Sequence, residues 1–223
     1  MITRRGFFRE MGGALPWLAS LPGWSGALAG ELPLSRRVVI LGDSLTAGFG
    51  VQRSEAYPAL LQRKVEEAGL PFEVVGAGLS GDTTAGGLRR VAWVLQAGAA
   101  VCVVALGGND GLRGVPSSET EANLRGIIRL IRAKSPRTAV VLAGMRMPAN
   151  VGAAYAESFA AVFPKVAKEE GALLVPFLLE GVGGIPELNQ PDLIHPNAKG
   201  QALLAENVWR ILRPLLEDLR RRP

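Results

Sequence analysis

Five short apolar runs, separated by stretches with helical periodicity, restrict what this chain of 223 residues can fold into. They fall at residues 37–41, 72–76, 100–106, 139–143 and 173–176. Each is near-continuous rather than alternating, as expected of strands covered on both faces in a parallel sheet. Helical periods occupy residues 56–68, 86–97, 118–134, 153–170 and 198–219. Gly69 and Gly171 stand where helix C-terminal glycines belong, and Ser118 with Glu121 reads as a capping box. The window 91–108 is apolar apart from Gln96, but Gly98 and the β-branched cluster after it divide it into a helix end and a buried strand. Such strand–helix alternation predicts an α/β domain of three layers with right-handed crossovers.

In sheets of this kind ligands bind beyond the carboxyl ends of the strands, so the residues just after each run are informative. They are Gly42-Asp43-Ser44, then Gly76-Ala77-Gly78-Leu79-Ser80-Gly81-Asp82-Thr83, then Gly107-Gly108-Asn109-Asp110. Gly144-Met145-Arg146-Met147-Pro148-Ala149-Asn150 follows the fourth run, and Asp192-Leu193-Ile194-His195-Pro196 comes after the fifth and a loop. Glycines and polar side chains thus gather at one edge. Singly, each piece is open to a plain reading. The serine in "VVILGDSLTAGFG" could cap a helix or act as a nucleophile. No G-x-x-x-x-G-K-[ST] phosphate loop occurs, and the serine is not in a G-x-S-x-G elbow. His195, the only histidine, could be structural, but chemistry needing an imidazole must use it, and a multi-histidine metal site is excluded. Asp192, three positions earlier, can face the ring across a turn and fix its tautomer, while Pro196 reads as the first residue of the last helix. Asp43, Asp82 and Asp110 read as caps or braces for backbone amides.

Taken together, Gly42-Asp43-Ser44-Leu45, Gly81 in Ser80-Gly81-Asp82, Gly107-Gly108-Asn109-Asp110 and Asp192-Leu193-Ile194-His195 resemble the four blocks of the SGNH (GDSL) hydrolases, in order and in placement. The resemblance covers about residues 37–215. Within the family the chain looks most similar to the bacterial arylesterase and multifunctional thioesterase/lysophospholipase group, through "GLSGDTTAGGLRRV", "LGGNDGLRG" and "RMPANVG". Gly76 departs from that group, which usually has asparagine there. The resemblance implies a three-layer α/β/α sandwich on a five-stranded parallel, flavodoxin-like sheet. It also implies a serine esterase that works through an acyl-enzyme, without metal or cofactor. Ser44 would be the nucleophile, His195 the base and Asp192 its carboxylate partner. The N–H groups of Ser44 and Gly81 and the Asn109 amide would form the oxyanion hole. The loop after the fourth strand would line an acyl groove with Met145, Arg146, Met147 and Pro148, although simple loop packing explains those residues as well.

The implied substrates are small acyl esters or lipids: aryl or short-to-medium acyl esters, thioesters or lysophospholipids. A carbohydrate acetylesterase would use the same machinery, but an aromatic content of 6% offers no sugar platform. A non-catalytic binding module would not need both a nucleophile and a base.

Residues 1–29 read as an address, leaving 30–223 as the hydrolase domain. Thr3-Arg4-Arg5-Gly6-Phe7-Phe8-Arg9 resembles a twin-arginine export signal, an uncharged stretch follows from Met11 to Gly30, and Ala27-Leu28-Ala29 offers a cleavage site. The implied location is the periplasm of a bacterium or its exterior. A membrane anchor is the alternative, but Gly12, Gly13, Pro16, Pro22, Gly23 and Gly26 make a poor spanning helix, so no stable span is expected in the mature chain. Part of the net charge of +5 belongs to Arg4, Arg5 and Arg9, and no basic stripe interleaved with aromatics marks a nucleic-acid partner. The single cysteine, Cys102, excludes an internal disulfide and a cysteine-built zinc site. The sequence is compatible with a monomer and leaves the oligomeric state open.

Overall fold

The computed structural model describes residues 35–221, so the expected export segment lies outside the described residues. In chain order the elements are β1 (Arg37–Gly42), α1 (Ser44–Ala47), α2 (Tyr57–Glu67), β2 (Glu73–Gly78), α3 (Thr84–Val94), β3 (Val101–Ala105) and α4 (Gly108–Leu112). They continue with α5 (Ser117–Lys134), β4 (Ala139–Ala143), α6 (Ala153–Glu169), β5 (Leu173–Val175) and α7 (Ala198–Arg221). The five strands pair in parallel in the order β2-β1-β3-β4-β5. This is the doubly wound, flavodoxin-like order, and its direction reverses between β1 and β3, where a crevice opens beyond the strand ends.

Burial follows from the apolar runs. Every residue of β3 is buried, as are all but the first of β1 and of β4. Helices α3, α5 and α6 pack side by side, and α2 packs on α7. Each fully buried Val, Leu or Ile side chain removed from water contributes about 1.5–3 kcal/mol, so the sheet centre is the main source of stability. Cys102 sits in the middle of β3 with no exposure, and burial pushes its thiol up to about 12. No helix among the described residues is long and apolar enough to cross a membrane.

Helix starts differ from the sequence expectation for local reasons. Helix α3 begins at Thr84, because the Thr83 hydroxyl accepts the Gly86 N–H at 3.3 Å. The expected Ser118–Glu121 capping box does not form: Pro116 precedes the first turn of α5, and Glu121 turns instead to Arg125 and Lys165. Pro196 is not in α7 but bridges to Asn189, and Asn197 caps that helix by accepting from Lys199 and Gly200.

Helix α1 is pressed against the sheet more closely than a side chain would permit. A Cβ on Gly78 of β2 would come within 2.3 Å of the Ala47 nitrogen. A Cβ on Gly42 would sit 1.9 Å from the Thr46 hydroxyl, which pairs with the buried Tyr57 hydroxyl at 2.6 Å. The Tyr57 N–H donates to Gln201 of α7 at 2.9 Å. Gly78→Ala should therefore force α1 away from β2 and lower stability by about 1–3 kcal/mol, the usual cost of overpacking. Urea unfolding measures this, and an unchanged midpoint would show that α1 does not rest on β2.

Candidate active site

The carboxyl end of β1 places Ser44 at the first position of α1, at the edge where the strand order reverses. The residue as a whole is nearly buried, at 8% exposure. At the first helical position the Ser44 N–H has no intrahelical acceptor. Asp43 precedes it as the N-cap, its carboxylate accepting the Leu45 N–H at 3.0 Å.

His195 arrives on an irregular surface loop whose shape is dictated by one carboxylate. Asp192 Oδ1 accepts the N–H groups of Ile194 and His195, each at 2.9 Å, and the turn forces Leu193 into the left-handed region at φ 58°. For a residue with a side chain this conformation is costly and must be imposed by its surroundings. Asp192 Oδ2 meets His195 Nδ1 at 2.7 Å, and His195 Nε2 meets Ser44 Oγ at 2.9 Å, across 151 positions of sequence. A carboxylate only accepts, so Nδ1 carries the proton and Nε2 offers its lone pair to the serine hydroxyl. The His195 N–H is the largest influence holding the Asp192 carboxyl down to about 2, with the imidazole and the Ile194 N–H adding to it. The carboxylate is therefore charged throughout the neutral range.

The opposite wall comes from the ends of β2 and β3. Gly81 adopts φ 79°, a conformation open to glycine, and its carbonyl accepts from Arg113 at 2.9 Å. Asn109, in α4, donates from Nδ2 to the Asp82 carbonyl at 2.9 Å and, in a longer contact of 3.3 Å, to Asp43. Arg90 reaches in from α3 and donates to three acceptors: Asp82 at 2.7 Å, the Ala77 carbonyl at 2.9 Å and the Gly42 carbonyl at 2.8 Å. Asp110 accepts from the Thr84 N–H and hydroxyl, bracing the start of α3. The three aspartates read as caps and braces thus have those partners. Among the described residues no cluster of three His, Cys, Asp or Glu side chains could hold a metal ion.

The loop after β4 divides. Met145 is 2% exposed and faces the core, because Gly144 still bonds to the Val175 carbonyl and carries the strand path one residue further. The expectation that Met145 lines a groove therefore does not match its position. Arg146 turns outward to Glu180 at 3.8 Å and the Phe177 ring at 5.0 Å. Met147 packs against Gly111 of α4, where a Cβ would approach its sulfur to 2.4 Å, and Pro148 is exposed.

Two neighbours of the site escaped sequence reasoning. Arg90 lies within a helical period, with nothing local to mark it. Phe49, whose ring lies 4.6 Å from that of His195, did carry a signal: a large aromatic between Gly48 and Gly50, in a turn that ought to be polar.

Asp43 couples the site to pH. Burial raises its carboxyl from 3.8 to about 6, against the opposing N–H of Leu45. The folded chain therefore binds this proton more tightly than the unfolded chain, and the stability it contributes is full below about pH 4 and lost as pH rises through about 6. Asp43→Asn, which keeps an acceptor for Leu45 without the charge, should gain on wild type in urea unfolding as pH is raised from about 4 to about 8, by something on the order of 3 kcal/mol. A difference independent of pH would rule out Asp43 as the titrating group.

Comparison with known proteins supplies the family. Residues 40–203 match the GDSL-like Lipase/Acylhydrolase family. Esterase TesA of Pseudomonas aeruginosa is 42% identical over 183 residues, covering 82% of this chain and 90% of the relative. Thioesterase 1/protease 1/lysophospholipase L1 of Escherichia coli K12 is also 42% identical, over 180 residues, 80% of this chain and 84% of the relative. The crystal structure of the psychrotrophic esterase EstA from Pseudoalteromonas sp., inhibited by monoethylphosphonate, superposes with a TM-score of 0.76 at 30% identity, covering 82% of this chain and all of that one. The chain belongs to the GDSL-like lipase/acylhydrolase family and is an SGNH-type carboxylic ester hydrolase.

Proposed function

We propose that Ser44, His195 and Asp192 carry out the ester hydrolysis, with the N–H groups of Ser44 and Gly81 and the Asn109 amide as the oxyanion hole. The single observation that supports this most is the unbroken chain of hydrogen bonds from Asp192 through His195 to Ser44. Ser44 Oγ attacks the acyl carbonyl while its proton passes to His195 Nε2, and the imidazolium formed is stabilised by Asp192. The carbonyl oxygen becomes an anion. Asn109 keeps one hydrogen on the Asp82 carbonyl; the other, in its long contact with Asp43, is available to that oxygen. The C–O or C–S bond then breaks as His195 returns the proton to the leaving group, and water, deprotonated by the same imidazole, releases the acid from Ser44.

The substrates we propose are aryl and short-to-medium acyl esters, with thioesters and lysophospholipids within reach of the same chemistry. Two relatives named as esterase and as thioesterase and lysophospholipase support this range. Of the residues after β4, Met147 and Pro148 are the acyl contacts we retain, being respectively half-buried beside α4 and exposed. We also propose that residues 1–29 direct export through the twin-arginine route, which places the mature enzyme in the periplasm or outside the cell; the Arg4-Arg5 pair and Ala27-Leu28-Ala29 support this.

Ser44→Ala should lower hydrolysis of p-nitrophenyl butyrate by several orders of magnitude with an unchanged melting temperature, and should abolish labelling by a fluorophosphonate. Wild-type turnover in that variant would end the serine mechanism. Asn109→Ala should cost about 10²–10³ in kcat, and in a p-nitrophenyl ester series butyrate and octanoate should exceed palmitate. Replacing both Arg4 and Arg5 by lysine should leave the full-length precursor in the cytoplasm on cell fractionation; normal export of that variant would refute the twin-arginine assignment.

A further inference from the structure

The loop that presents His195 is not held by burial: Leu193 and Ile194 are 47% and 43% exposed. Three contacts fix the imidazole. Two are the bonds of its nitrogens to Asp192 and Ser44. The third is the ring of Phe49, 4.6 Å away between centroids and tilted by 42°.

Phe49 comes from the other side of the site. It follows the Gly48 cap of α1, and its N–H donates to the Ser44 carbonyl at 3.0 Å. Gln190 ties this segment to the base. Its backbone N–H donates to the His195 carbonyl at 2.8 Å, and its side-chain Nε2 donates to the Phe49 carbonyl at 2.6 Å and, at 3.4 Å, to the Pro196 carbonyl. Gly50 makes room for this amide, since a Cβ there would lie 2.1 Å from Gln190 Oε1. One glutamine therefore grips the base with its main chain and the nucleophile segment with its side chain. Phe49 remains 49% exposed, so burial of its ring does not account for its place.

An aromatic face within about 6 Å of a cation attracts it, and His195 becomes a cation each time it takes a proton from Ser44 or from water. We infer that Phe49, fixed by Gln190, is a positioning residue for the base: its ring keeps the imidazole of His195 between Ser44 and Asp192 and stabilises the imidazolium once formed. This rests on His195 being the base of the proposed mechanism.

The test is the kinetics of a small aliphatic ester, methyl butyrate, followed by pH-stat so that no aromatic leaving group can touch Phe49 directly. Phe49→Leu keeps an apolar cover of similar size without a π face, at a half-exposed position that does not threaten the fold. It should lower kcat about 2- to 30-fold with KM unchanged. Phe49→Tyr should stay close to wild type, and Gln190→Leu should reproduce the loss in kcat. In a His195→Ala background, Phe49→Leu should cost nothing further. The same loss with and without His195, a change confined to KM, or equal behaviour of the Leu and Tyr variants would overturn the assignment of Phe49 alone. Wild-type turnover in His195→Ala itself would overturn the reading of the base, and the role of Phe49 with it.

Discussion

A helix of four residues cannot hold itself together in water, because nucleation costs more than one turn returns. Helix α1 is such a helix, and it aims the serine. Its geometry is supplied from outside. Asp43 caps it, Thr46 is tied to Tyr57, Gln201 reaches the Leu45 carbonyl at 3.5 Å, and Gly42 and Gly78 let it lie against backbone. Each of these buried polar groups has a hydrogen-bond partner, so together they specify one placement of the helix, Asp43 at a cost once its carboxyl ionises. The sheet matters to the chemistry because it makes that placement rigid.

The two halves of the site are built differently. Ser44 and the glycine-rich segments facing it follow strand ends clamped together by the Arg90 guanidinium, which closes the gap between the Gly42 and Ala77 carbonyls and the Asp82 carboxylate. In the proposed mechanism, donors fixed in this way need no rearrangement when charge develops on the substrate oxygen. His195 stands instead on an exposed loop whose conformation is imposed by Asp192. Asp192 serves twice, setting the backbone with one oxygen and the imidazole with the other.

Much of the fold is legible in the sequence. The apolar runs locate the strands to within two residues at most ends, since a fully buried parallel strand has few alternatives, and glycines and polar residues after each run mark the working edge. The parts that cannot be read have physical causes. Helices α1 and α4, of four and five residues, are too short to show a period. Arg90 and Phe49 act on groups far away in sequence, so no local pattern signals them. Met145 reads as part of the open loop because Gly144 looks like a strand end, yet the Gly144 N–H still bonds across to β5 and keeps the methionine inside. The Ser118–Glu121 box fails because stronger ionic partners are in reach of the glutamate.

Cys102, sealed in the central strand with its thiol pushed to about 12, carries no part of the chemistry. Its isolation has a use. A thiol in that setting reacts neither with oxidants nor with alkylating reagents while the sheet is intact. Modification must wait for the strands to separate, and being the sole sulfhydryl it yields an unambiguous signal. The molecule thus contains its own clock for global opening, readable by mass change under native conditions without denaturant.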